Sequence, residues 1–171
     1  MRVIQVVRAI CLAMDRIPHD LVALLGRFSV AGVFWLSAQT KVQNFALNIV
    51  TGQAKWGWPR LADSAVDLFR DEYRLPLLSP DGAALVAALG EHVFAALLLV
   101  GLASRLSALA LLGVTAVIQV FVYPDAYATH GVWATVLLYL MMRGPGRLSL
   151  DYWIARQWGG VAFPSEDAAR R

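Results

Sequence analysis

The sequence predicts an all-α fold: an integral membrane four-helix bundle flanked by interfacial amphipathic helices. Three observations carry that expectation. Of the 171 residues, 58% are hydrophobic and 16% charged, whereas soluble domains average about a quarter charged. Several apolar runs approach the ~20 residues that a helix needs to cross the hydrocarbon core of a bilayer. Basic residues gather on one side of those runs, as the positive-inside bias requires.

Residues 1–20 place Val3, Val6, Val7, Ile10, Met14 and Ile17 on one helical face and Gln5, Arg8, Asp15, Arg16 and His19 opposite. That pattern suits a helix lying in the interface. Gln5 and Arg8 break the apolar core that a cleavable signal would need. Crossings are expected at about 21–41, 82–103, 107–123 and 127–142. Pro124 ends the third, and Arg143 with the turn Gly144-Pro145-Gly146 ends the fourth. The connection 42–80 is long for a small bundle, and long connections are often functional. Within it Trp56-Gly57-Trp58-Pro59 reads as an interfacial anchor and turn. Leu61–Tyr73 can form an amphipathic helix with Leu61, Ala65, Leu68 and Phe69 on its apolar side. Two readings stand for this segment: a cap over the outer mouth, or an ordered loop that only packs. Residues 147–158 form an inner interfacial helix, with Ser149 as N-cap and Asp151 in its first turn. Tyr152, Trp153, Ile154 and Trp158 anchor it. Residues 162–171 are expected to be a disordered tail.

Arg2, Arg8, Arg16, Arg105, Arg143, Arg147 and Arg156 fall on one side of the crossings. Lys41, Lys55, Arg60, Arg70 and Arg74 fall on the other, in a loop whose Asp63, Asp67, Asp71 and Glu72 offset their charge. Both termini are therefore expected in the cytoplasm. The net charge of +3 is not arranged as a basic stripe with interleaved aromatics, which argues against a nucleic-acid partner. Cys11 is the single cysteine, so an intramolecular disulfide and a CxxC redox pair are excluded. The lipid bilayer is the one partner that composition alone assigns.

Two adjacent residues break the second crossing. Between Asp81 and Arg105 the only ionisable side chains are Glu91 and His92. A carboxylate at mid-span costs about 2.5–3.5 kcal/mol on insertion scales, so it needs a partner, a cavity or a proton. Glu91 lies about 13–14 Å below the start of its helix, and Arg27 about 9 Å in from the opposite end of the first. Their heights differ by about 7–8 Å in a ~30 Å core, which an arginine side chain can span. An Arg27–Glu91 pair inside the bundle is expected, either as a structural ion pair that fixes register or as part of a functional site. His92 is rotated about 100° from Glu91; it reads as helix-to-helix hydrogen bonding ahead of a haem or copper ligand, for which His130 would be its partner. Thr115, Gln119 and Tyr123 recur every four residues along the third crossing. Interhelical hydrogen bonding is the expected role of Thr115, and it stays open for Gln119.

The order of these features resembles one family. An Arg27-bearing first span ends in Lys41, a second span reads Glu91…LLLVGLASR, a third apolar span follows, and then comes Gly144-Pro145-Gly146-Arg147-Leu148-Ser149-Leu150-Asp151. This is similar to the DoxX family of small four-helix bacterial membrane proteins, over roughly residues 21–155. In that family the lysine usually follows a histidine-glycine pair, where this chain has Ser37-Ala38-Gln39-Thr40-Lys41. Glu72–Pro80 and Gln119–Trp133 resemble a branch often encoded beside enzymes that make modified copper-binding peptides. The resemblance implies the bacterial inner membrane. It also implies a link to quinone-dependent oxidation, oxidative stress or metal stress.

Two functions compete on these grounds. In the first, Gln39, Lys41, Glu91, Gln119, Tyr123, His130 and Trp133 line an outward-opening pocket. Amide, phenol, imidazole and indole groups suit a quinone headgroup, and Glu91 is the candidate proton relay. Lacking a cysteine pair, flavin motif or metal cluster, such a chain would be a redox-linked subunit needing a protein partner rather than a self-sufficient enzyme. In the second, it is a non-enzymatic membrane partner in a copper, metallophore-peptide or metal-stress system. A homo-oligomer is compatible with both.

Overall fold

The computed structural model describes residues 2–48 and 51–158; the expected tail at 162–171 lies outside them. Helix α1 (Arg2–Met14) precedes α2 (His19–Thr40). The long connection then forms two nested antiparallel ladders, β1 (Val42–Gln43) with β4 (Arg60–Leu61) and β2 (Ala46–Leu47) with β3 (Ala54–Lys55). Helix α3 (Asp63–Leu68) runs on into a π-helical turn, Phe69–Tyr73. The bundle is completed by α4 (Pro80–Val100), α5 (Ser104–Val117) with a π-helical extension Ile118–Val122, and α6 (Tyr127–Arg143). Helix α7 (Leu150–Trp158) follows.

Helices α2, α4 and extended α5 are long and apolar enough to cross a membrane. Helix α6, at 17 residues, is shorter than the usual crossing. The bundle core is built from Ala23, Ala31 and Phe34 of α2, Ala95 and Leu98 of α4, Ala108 and Leu111 of α5, and Leu137 and Leu140 of α6. Alanines at these positions let the backbones approach closely, which is how helices associate where lipid removes the hydrophobic drive between them. Outward positions are equally apolar: Leu25, Val86, Leu106 and Val132 are all more than 60% exposed. A soluble protein does not present such a surface. The chain is an all-α membrane protein.

The two ends of the bundle are built differently. At the loop end, Ala62, Ala65 and Phe69 bury against Ala83 and Ala84 at the start of α4, forming a second small core. The cap helix is thereby seated on the bundle rather than left free. Ser79 caps α4 by accepting from the Gly82 N–H, with Pro80 at the first helical position, where its missing donor is no loss. In the hairpin, Gly57 lies so close to Asn44 that a Cβ would come within 2.4 Å of the Asn44 carbonyl oxygen.

At the opposite end, the Gly-Pro-Gly-Arg-Leu-Ser-Leu-Asp segment acts as a clasp. A Cβ on Gly146 would lie 3.0 Å from both the Cα and Oδ1 of Asp20, and the Arg147 N–H donates to the Asp20 carboxylate at 2.7 Å. Ser149 caps α7, accepting from the Tyr152 N–H at 3.3 Å. Asp151 does more than sit in the first turn of its own helix. Its two carboxylate oxygens accept from the Ala103 and Ser104 N–H groups at 2.7 and 2.8 Å, satisfying orphan donors at the start of α5. The clasp therefore ties the start of α2, the α4–α5 turn and α7 together.

Candidate functional site

Helix α2 delivers two buried cations, one at each end. Lys41, 5% exposed, reaches back along its helix and donates to Glu91 Oε2 at 2.8 Å, to Ser37 Oγ at 2.9 Å and to the Ser37 carbonyl at 3.2 Å. Glu91 is 2% exposed. Three acceptors thus saturate the ammonium's donors, which is the condition under which a desolvated charge pair is tolerated.

The pairing expected between Arg27 and Glu91 is not the one formed. Arg27, 1% exposed, turns toward its own end of the bundle. It donates from Nη1 to the Leu99 carbonyl at 3.4 Å and from Nη2 to the Leu148 carbonyl. The physical reason is local. The last carbonyls of α4 lack intrahelical donors, and a cation is favoured at a helix C-terminus. Asp151 adds an attractive charge. Arg27 needs no long reach, and Glu91 is left to a flexible lysine from the other side. Gly101, in the left-handed region at φ 74°, makes room: a Cβ there would lie 2.1 Å from Arg27 Nη1.

The remaining polar residues separate into three sets. Gln39 does not face Glu91. Its amide donates to His92 Nε2 at 2.7 Å, and its oxygen accepts from the Leu47 N–H at 2.7 Å. His92 Nδ1 donates to the Ala88 carbonyl at 2.7 Å, and Trp35 stands edge-on to the His92 ring while its indole N–H donates to the Leu47 carbonyl at 2.7 Å. This set fastens the hairpin to α2 and α4. Both His92 nitrogens are engaged in it, which leaves none for a metal.

The second set joins α5 to α6. His130 Nδ1 donates to Gln119 Oε1 at 2.7 Å, and the Gln119 amide donates to the Pro124 carbonyl at 2.6 Å. Trp133 packs beside His130 and edge-on to Phe34, with centroids 5.1 and 5.7 Å apart. Thr115, expected to bond between helices, instead donates to the Leu111 carbonyl of its own helix at 2.8 Å. The π-helical turn shifts the register after Val117, so Thr115, Gln119 and Tyr123 do not form one stripe. Among the described residues no cluster of three or more metal-ligating side chains occurs.

The third set was not legible as a site. Tyr123 donates to Glu72 Oε1 at 2.6 Å, and Tyr73 of the cap lies edge-on to Tyr123 with centroids 6.0 Å apart. Burial pushes the Tyr73 phenol above its usual range. Tyr123 opposes that shift, while the negative charges of Glu72 and Glu91 add to it. Tyr123, expected with Gln39, Lys41, Glu91, Gln119, His130 and Trp133 around one pocket, meets instead Glu72 and Tyr73 at the end of the cap segment.

A family model described as DoxX matches residues 22–124, a segment that contains both buried cations, Glu91 and all three polar sets except His130 and Trp133. No curated protein and no solved structure matches the chain.

Proposed function

From the premise that this chain belongs to the DoxX family, we propose that it is a redox-linked subunit of the bacterial inner membrane, with both termini cytoplasmic. It takes a quinone or similar small ligand at the loop end and works with a protein partner. The observation that carries this reading is the Lys41–Glu91 pair, sealed from solvent at 2.8 Å at the end of the bundle where the cap helix is seated.

A buried ion pair alone can be mere register. Here, however, the same end of the bundle also brings Tyr73, Tyr123 and Glu72 together. Reduction of a quinone to a quinol takes up two electrons and two protons. In this reading the electrons come from the partner. Glu91, held by Lys41, is the candidate proton relay, and Tyr73, Tyr123 and Glu72 are the polar groups at the cap beside it in this reading. Helix α1, exposed along its whole length, lies on the cytoplasmic leaflet with its apolar face in the acyl region.

The test is direct binding. Titrating the full-length protein in detergent with a short-chain quinone should quench tryptophan fluorescence saturably, because Trp35 and Trp133 flank the region. Glu91→Gln should weaken that binding or abolish its pH dependence. Non-saturable quenching, identical in wild type and variant, would overturn the proposal.

A further inference from the structure

We propose that a groove between α4 and the β1–β4 hairpin seats one anionic phospholipid of the surrounding bilayer, with Arg60 holding its headgroup. The inference does not rest on the quinone reading. The groove measures about 260 Å³ and runs along Phe45 and Pro59 of the hairpin and Leu85 and Leu89 of α4, with His92 at its floor. Leu85 and Leu89 are 48% and 58% exposed, so the groove opens sideways onto the surface that faces lipid.

Its chemistry selects the occupant. His92 spends Nδ1 on Ala88 and Nε2 on Gln39, so the floor presents ring carbon rather than a free donor or acceptor. The other lining side chains are apolar except Arg60. Among the described residues the Arg60 guanidinium has no hydrogen bond or ion pair. A carbon-lined slot with one unpaired cation at its edge fits a chain with an anionic head. A quinone ring would instead look for several donors to its carbonyls.

The level is right as well. Arg60 pairs through its backbone with Gln43, just beyond the end of α2, and the exposed Trp56 and Trp58 lie in the same hairpin. Tryptophans mark the headgroup region of a bilayer. Leu85 and Leu89, which line the groove, lie about 7 and 13 Å along α4 from Pro80.

The test uses full-length protein reconstituted into vesicles of equal parts phosphatidylglycerol and phosphatidylcholine, re-extracted in mild detergent and weighed intact with its retained lipids. Wild type should retain phosphatidylglycerol over phosphatidylcholine by about fivefold, the attraction expected of one basic residue for an anionic surface. Arg60→Ala should lose that preference and Arg60→Lys keep most of it, while Lys55→Ala, on the neighbouring strand but outside this groove, should leave it unchanged. Equal retention of the two lipids by wild type would overturn the proposal. So would a preference that survives Arg60→Ala, or one that falls equally in Lys55→Ala.

Discussion

Arg27 within α2 and Lys41 at its C-terminal cap are both buried and meet opposite kinds of partner. Arg27 meets backbone carbonyls of Leu99 and Leu148, acceptors that never titrate, with a guanidinium that does not lose its proton. Lys41 meets a carboxylate, and both members of that pair can change charge. The clasp end is thus built to hold one state, and the loop end contains the groups able to exchange a proton. The segment Gly144–Asp151 belongs to the end that holds.

The comparison can be broken most sharply at Glu91. Glu91→Leu strands the Lys41 ammonium without its partner and should cost about 3–5 kcal/mol, read as a large fall in thermal unfolding temperature in detergent. Adding Lys41→Met should recover most of that loss, because removing both charges is often near neutral. A double variant as unstable as the single one would show that the pair itself holds the fold. Next in size is Gly101→Ala at the clasp. The left-handed backbone costs about 1–3 kcal/mol, and the added Cβ displaces Arg27. Unfolding temperature should fall while the Lys41–Glu91 region keeps its ligand binding. The smallest effect is alkaline. Tyr73 has a raised folded-state pKa, so its contribution is intact below the usual phenol range near pH 10 and is lost as pH rises through the higher folded value. Tyr73→Phe should flatten that alkaline fall in stability and leave the neutral-pH value little changed.

The three helices long and apolar enough to cross a membrane were legible because hydropathy is a property of the local chain. The sequence reading also singled out Glu91 and placed Lys41 near it. It mispaired Arg27 because the true acceptors are main-chain carbonyls, which carry no residue signature. Asp151 was read within its own helix, yet its oxygens cap α5, a contact that exists only once the clasp closes. Gln119 and Tyr123 were assigned one stripe at helical spacing, and the π-helical turn at Ile118–Val122 moved them to different partners. The nested ladders in the long loop were missed because two-residue strands leave no periodicity to read.

The measurement closest to the central claim is the quinone affinity of the double variant Lys41→Met/Glu91→Leu, made on protein whose unfolding temperature matches wild type. A folded variant with binding lost would locate the function in the loop-end pair and leave the clasp as support. A folded variant that binds quinone as wild type does, with the same pH dependence, would contradict that assignment and reduce Lys41–Glu91 to a second structural bond.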